Sequence, residues 1–152
     1  MLDERRTQRK PCPLSWEEQR LFLRLLPDHL ALMAIFKVNT GCREQEVCRL
    51  QWDWEVRVPE LGTSVFLIPN DFGGRRANSG VKKGEDRLVV LNDVAKSVVE
   101  GQRGKHKTLV FPYKDRALRK MNDTAWKKAS KRAALAWEEE KKESAPECHL
   151  SP

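Results

Sequence analysis

The chain has 152 residues, long enough for one domain with a buried core, and its 39% hydrophobic content with five Trp and five Phe excludes a disordered polymer. Lys and Arg number 29 against 22 Asp and Glu, so the net charge of +7 favours an anionic partner. No apolar run reaches membrane-spanning length and no signal-peptide core follows Met1, so we expect a cytoplasmic protein without a membrane partner.

The four cysteines, Cys12, Cys42, Cys48 and Cys148, form no C-x-x-C pair. Cys42 and Cys48 are therefore interpreted as small core-side residues of a reduced protein and not as zinc ligands. We expect neither a metal nor a cofactor.

Two helices follow a basic arm or linker at residues 1–13. Ser15 and Glu18 have capping-box spacing, which predicts a helix from Trp16 to Leu26 that Pro27 stops. The segment 29–39 is apolar on nearly every side and predicts a buried central helix, with His29 as a surface or capping residue at its start.

The period then changes to alternation, which indicates strands at residues 56–58, 64–68 and 87–91, with a turn at Leu61-Gly62. Residues 69–83 are predicted to form a long loop. Asn92 or Asp93 caps a short helix through Val99 that Gly101 and Gly104 close. The fold class is therefore α+β, mainly helical with a small three-stranded antiparallel sheet.

A long helix is predicted from Thr124 to about Glu143, after a brief extended piece at residues 108–112. Trp126, Ala129, Ala133 and Trp137 form its inward stripe. Its basic residues indicate either contact with a nucleic-acid backbone or a solvated helix face, and the run alone favours the solvated face. The basic residues are Lys127, Lys128, Lys131 and Arg132.

The functional interpretation depends on the segment Thr40–Trp52. Thr40 is an N-cap candidate for a helix over residues 42–51, which would align Arg43 with Val47 and Leu50 on a core-facing stripe. An inward guanidinium needs a partner, and Glu46 lies three residues away. At a helix start that partner can also be a phosphate. The plainer interpretation, favoured by spacing alone, is a solvated arginine paired with Glu46.

Three segments in register resemble the tyrosine recombinases, specifically the phage-type integrases. Thr40-Gly41-Cys42-Arg43, with Glu46-Val47 and Leu50-Gln51-Trp52, resembles the first arginine box of that family. Lys82 to Leu91 resembles the family's hairpin, in which a catalytic lysine precedes a glycine and an arginine-led strand. Counting back from Arg87 places Lys82 on that lysine. Val110-Phe111-Pro112 and the helix at 126–135 follow the family's order, so the resemblance covers residues 14–147, a partial catalytic domain with a tail at 148–152.

The resemblance implies a bacterial or phage-encoded protein that grips double-stranded DNA. Family members attack a phosphodiester with a tyrosine and form a phosphotyrosyl link, without metal or nucleotide. Arg43, supported by Glu46, would stabilise the pentavalent phosphorane, and Lys82 would protonate the leaving 5′-oxygen. The expected DNA-backbone contacts are Arg75, Arg76, Lys83, Lys127 and Lys131.

The chain also departs from the family pattern. No second arginine box or nucleophilic tyrosine follows the long helix, and His149-Leu150 only echoes that box. The single tyrosine, Tyr113, lies upstream of the nucleophile's place and is interpreted as structural or surface. We therefore expect a truncated recombinase fragment that is inactive alone and binds DNA weakly, with uncovered apolar surface that favours self-association or pairing with an intact integrase.

Two other classes stay open. One is a non-catalytic DNA-binding or regulatory module. The other is a basic α+β domain that binds RNA or a protein, which predicts a fully solvent-exposed Arg43 and no effect of Arg43→Ala or Lys82→Ala on binding.

Overall fold

A computed structural model describes residues 13–72, 85–121 and 123–143 of the chain. Its fold is α+β, as predicted, and combines helices with a three-stranded antiparallel sheet and a two-stranded ribbon. In chain order the elements are α1 (Trp16–Leu25), α2 (Asp28–Thr40), α3 (Glu44–Cys48), β1 (Glu55–Val58), β2 (Thr63–Ile68), β3 (Arg87–Val90), α4 (Asp93–Gln102), β4 (Pro112–Tyr113), β5 (Arg116–Ala117) and α5 (Thr124–Glu143).

The first two helices form as predicted. Ser15 and Glu18 make the reciprocal capping box, with the Glu18 carboxylate 2.7 Å from the Ser15 amide nitrogen. Burial of Leu30, Met33 and Phe36, each with no exposed surface, confirms that α2 is the central helix of the core. The core therefore forms around an element whose apolar residues surround most of its circumference.

The sheet has the order β1-β2-β3, and all neighbours are antiparallel. Its inner face contributes Phe66, Ile68 and Val89 to the core because alternate residues of a strand point to the same face. The outer face remains exposed and apolar. Its exposed residues are Val56 at 47%, Leu67 at 41%, Leu88 at 60% and Val90 at 63%.

The segment around Arg43 differs from the prediction. Thr40 is the last residue of α2 and not an N-cap, since its hydroxyl donates to the Phe36 carbonyl at 2.8 Å. Gly41, with φ of 66°, ends that helix in the left-handed conformation. The predicted helix over 42–51 shortens to α3 because Arg49 has non-helical dihedral angles and Gln51 instead bridges to Leu109.

The long helix α5 forms over the predicted residues and packs antiparallel to α1. The ring centroids of Phe22 and Trp126 lie 5.0 Å apart. Asp123 caps α5, because its carboxylate accepts hydrogen bonds from the amides of Ala125 and Trp126. The inward stripe is confirmed most clearly at Ala129, which is 2% exposed. Helix α4 extends to Gln102, beyond its predicted end at Val99, because Gly101 lies inside the helix and does not end it.

The two cysteines predicted to be core residues are buried: Cys42 is 2% and Cys48 is 1% exposed. Across the described ranges, no helix combines the length and apolar character that spanning a bilayer requires.

Candidate phosphate-binding site

Arg43 stands at the N-cap position of α3 and is exposed to solvent. The prediction that it aligns with Val47 and Leu50 on a buried stripe is therefore wrong. It failed because the helix starts one residue after Arg43, so the arginine has extended backbone angles (φ −72°, ψ 154°). Helical periodicity applies only to residues inside the helix.

Glu46 does support Arg43, but through the backbone. Its carboxylate accepts a hydrogen bond of 2.6 Å from the Arg43 amide, the reciprocal half of a capping box. Glu46 is only 3% exposed. Among the described side chains, the ion partner of this carboxylate is the Arg87 guanidinium, whose Nη1 lies 3.3 Å from Oε2. The predicted pairing of Glu46 with the Arg43 side chain is thus replaced by a pairing with a residue of the sheet.

Arg87 ties the start of β3 to the turn that carries Arg43. Its Nη2 donates to the Gly41 carbonyl at 2.8 Å while Nη1 faces Glu46. One guanidinium therefore contacts both sides of Arg43 along the chain. Its planar fork of donors suits two acceptors at once.

A second set of contacts joins α3 to the chain that leads into α5. The Gln45 side chain donates to the Arg119 carbonyl at 2.8 Å, and the Glu44 carboxylate accepts from the Met121 amide at 2.5 Å. Since α3 has only five residues, these contacts and those of Glu46 fix an element too short to be stable by itself.

Four of the predicted site residues, Arg75, Arg76, Lys82 and Lys83, lie outside the described residues. The strand pairing on both sides of their segment is described: Ile68 of β2 pairs with Arg87 of β3. The antiparallel hairpin predicted there is thus confirmed in its strands. Lys127 and Lys131 lie exposed on α5, as the sequence predicted.

Tyr113 is 41% exposed and stacks on His29, with the ring centroids 4.5 Å apart. Its interpretation as a structural or surface residue agrees with this contact. His29 lies at the start of α2 and Arg43 just beyond its end, and eleven helical residues separate positions by roughly 16 Å at 1.5 Å per residue. Tyr113 is therefore held well away from the Arg43 turn.

Basic residues that the sequence analysis did not single out lie along the β4–β5 hairpin and the chain after it, which contacts α3 through the Arg119 carbonyl. The β4–β5 hairpin and the chain after it carry Lys114, Arg116 and Arg119, all exposed. Two surface grooves, with volumes of about 570 and 500 Å³, adjoin these residues and share Ala117, Leu118 and Arg119 in their walls. Local density of basic residues was the signal available, but the turn between β4 and β5 has no Gly or Asn-Gly to announce a hairpin.

Burial acts on the titratable groups near this region. It raises the pKa of the Cys42 thiol and that of Cys48, the latter to about 11, which favours the unreactive thiol form of each at neutral pH. In the described ranges, no group of three or more His, Cys, Asp or Glu side chains is arranged to hold a metal ion. What the arrangement offers is an exposed guanidinium on an anchored backbone, without a counter-ion among the described residues. No protein-family model, curated protein or solved structure matches the chain.

Proposed function

We propose that the chain is part of a tyrosine-recombinase catalytic domain that binds duplex DNA through Arg43 and Lys82. The observation that carries the proposal is the Arg43 turn. Arg87 and Glu46 hold its backbone, while its guanidinium is exposed and has no ion pair with any described residue. An exposed guanidinium that is not neutralised and that extends from an anchored turn suits a phosphate, which accepts its donors in pairs.

Lys82 is proposed as the second phosphate contact and the general acid of the family's reaction. Arg87 anchors the chain beside Gly41, and Lys82 precedes Arg87 by five residues. Five residues of extended chain span at most about 17 Å. That reach is sufficient for the Lys82 ammonium to approach a phosphate held by Arg43.

The 152-residue polypeptide is proposed to bind DNA without cleaving it. Covalent cleavage needs an activated nucleophile at the phosphate. Tyr113 is the single tyrosine of the chain, and it stacks on His29 at the opposite end of α2. Arg75, Arg76, Lys83, Lys127 and Lys131 are proposed as further backbone contacts.

The experiment is a salt titration of binding to a fluorescent duplex. If about four of these seven residues contact phosphates, the slope of log K against log salt is near −3.6, from roughly −0.9 per contact. Arg43→Gln and Lys82→Gln should each reduce the magnitude of the slope by about 0.9. Arg24→Gln is the matched control, since Arg24 is exposed on α1 and loses the same charge. A flat salt dependence, or no binding at low salt, would overturn the proposal.

A second candidate function is supported by the exposure of Arg43. A basic α+β domain that binds RNA or a protein predicts a fully solvent-exposed Arg43, and the exposure of Arg43 in the structure is in that direction. The two candidates differ in the effect of the variants, because the generic domain requires that Arg43→Gln leave binding unchanged, as the control Arg24→Gln does. A non-catalytic DNA-binding module is the remaining alternative. In that case Arg43→Gln still weakens DNA binding, but no cleavage occurs even when a second arginine box and a nucleophilic tyrosine are supplied on another polypeptide.

Self-association, or pairing with an intact integrase, is also proposed. The outer face of the sheet supports it, because Val56, Leu67, Leu88 and Val90 leave a contiguous apolar surface in water. Light scattering over increasing protein concentration tests it. A constant monomer mass at high concentration would remove this part of the proposal.

A further inference from the structure

We propose that a second DNA-backbone contact surface lies on the β4–β5 hairpin and the two grooves beside it. We call it the hairpin surface and define it by Arg49, Lys114, Arg116, Leu118 and Arg119. The choice of ligand rests on the proposed function. The surface itself is argued from geometry and charge, and none of its residues was among the expected contacts.

The hairpin is a tight and anchored element. Its turn residues Lys114 and Asp115 have φ of 50° and 59°, the left-handed pair that closes a two-residue connection between twisted strands. Tyr113, paired with Arg116 across the ribbon, stacks on His29 of α2. The basic side chains of the turn are therefore presented from a support that is fixed to the core.

The cations of the hairpin surface have no counter-ions within the described part of the chain. Arg49, Lys114, Arg116 and Arg119 form no ion pair there, whereas Arg103 is paired with both Glu55 and Glu100. Two carboxylates, Asp71 in one groove wall and Asp115 in the turn, oppose the four cations and leave a net charge of +2. Lys114 lies 5.5 Å from the centroid of the Tyr113 ring, a contact that does not neutralise its charge. Like charges without counter-ions repel each other, and an anionic ligand removes that repulsion.

The grooves give this charge a shape that suits a chain-like anion. They share Ala117, Leu118 and Arg119 in their walls, so both grooves adjoin the same segment of the hairpin surface. The Cα atoms of Arg116 and Arg119 can be at most about 10 Å apart, so both side chains lie within the axial length of about three nucleotides of one strand, plus their own reach. A polyanion with regularly spaced phosphates can meet both guanidinium groups.

The segment that lines the two grooves also contacts the candidate site. The Arg119 carbonyl accepts from Gln45 at 2.8 Å, and Gln45 lies in α3, directly after the Arg43 turn. A DNA strand held by Arg43 can therefore continue along the hairpin surface. Duplex DNA is the ligand we assign, since the neighbouring Arg43 turn is proposed to bind a phosphodiester of the same molecule.

The test measures the salt slope of duplex binding for Arg116→Gln/Arg119→Gln, compared with Arg20→Gln/Arg24→Gln on exposed positions of α1. The two double variants lose equal charge. We expect the hairpin variant to reduce the magnitude of the slope by about 1.8, from two contacts, and the α1 variant to leave it unchanged. Arg116→Lys/Arg119→Lys should retain the slope, and unchanged circular dichroism confirms that each variant is folded.

Arg43→Gln/Lys82→Gln is measured alongside so that the two proposals can fail separately. A loss of slope in the hairpin variant alone would support the hairpin surface and overturn the Arg43 site. A loss in Arg43→Gln/Lys82→Gln alone would overturn the hairpin surface. Equal losses in the hairpin and α1 variants, or no duplex binding by the wild-type chain, would also overturn it. Tighter binding of a single-stranded RNA than of the duplex would overturn the assignment of the ligand.

Discussion

Arg87 supplies the ion partner of Glu46, with Nη1 3.3 Å from the carboxylate, and through it stabilises the turn that exposes Arg43. The arginine is 37% exposed at its side chain and the glutamate 4%. The network therefore joins a nearly buried charge to a half-exposed one. It connects the sheet to the candidate site, so changes at Arg87 should affect a surface that Arg87 itself does not form.

Arg87→Gln should destabilise the fold by leaving the Glu46 carboxylate without a cation. Removing one partner of a fully buried pair costs about 3–5 kcal/mol, and the exposure of Arg87 reduces our expectation to about 1–2 kcal/mol. Urea unfolding measures this change. In a double-mutant cycle with Glu46→Gln, the coupling should exceed about 0.5 kcal/mol. Additive effects of the two substitutions would show that the pair does not interact.

The 152-residue chain should form no covalent adduct with a nicked or suicide duplex. The physical reason is distance, because Tyr113 stacks on His29 at the start of α2 while Arg43 follows the end of that helix. Denaturing gels with labelled DNA measure adduct formation. Tyr113→Phe is the control, since an adduct that this substitution abolishes would identify Tyr113 as a nucleophile and contradict the expectation.

The stability of the chain should decrease below about pH 6.5 through His29. Burial is the largest influence and lowers the pKa of His29 below its ordinary value of 6.5, although Asp123 and Asp28 oppose that shift. The neutral imidazole is thus favoured in the folded state. Its contribution is complete above the unfolded pKa and is lost as pH falls through the folded pKa.

Between pH 7.5 and pH 5, the free energy of unfolding should decrease less for the His29→Phe variant than for the wild-type chain. Phenylalanine keeps a ring against Tyr113 but does not titrate. Urea unfolding at the two pH values tests this, and an NMR titration of the His29 ring gives the pKa directly. A His29 pKa above 6.5 would reverse the sign and contradict the prediction.

Cys48 should resist alkylation in the folded protein. Burial raises the pKa of its thiol to about 11, so only about one thiol in a thousand is ionised at pH 8. Peptide-resolved mass spectrometry after iodoacetamide treatment measures the rate, and the same sample in urea provides the fast reference. Equal rates in the two conditions would mean that Cys48 is accessible in the folded chain.

The sequence by itself determined the elements that local chemistry specifies. The capping box of Ser15 and Glu18 predicted α1, and the alternation of apolar and polar residues predicted the strands. Asp123 and the apolar stripe around Ala129 predicted α5. Those signals succeed because caps and periodicity act between residues close in the chain. The burial of Cys48 was also predicted, because no C-x-x-C pair is present and a free cysteine behaves as a small apolar residue.

Only the tertiary structure decided which side chains meet at the site. From the sequence, the Glu46 carboxylate was expected to pair with the Arg43 side chain. In the structure it forms an ion pair with Arg87 and accepts a hydrogen bond from the Arg43 amide. The hairpin surface could not be predicted from the sequence either. Lys114 and Asp115 adopt left-handed backbone angles although neither is glycine, and the Arg119 carbonyl contacts Gln45 of α3, which is distant in the chain. Such pairings depend on how elements pack, and no local pattern encodes the packing of distant segments.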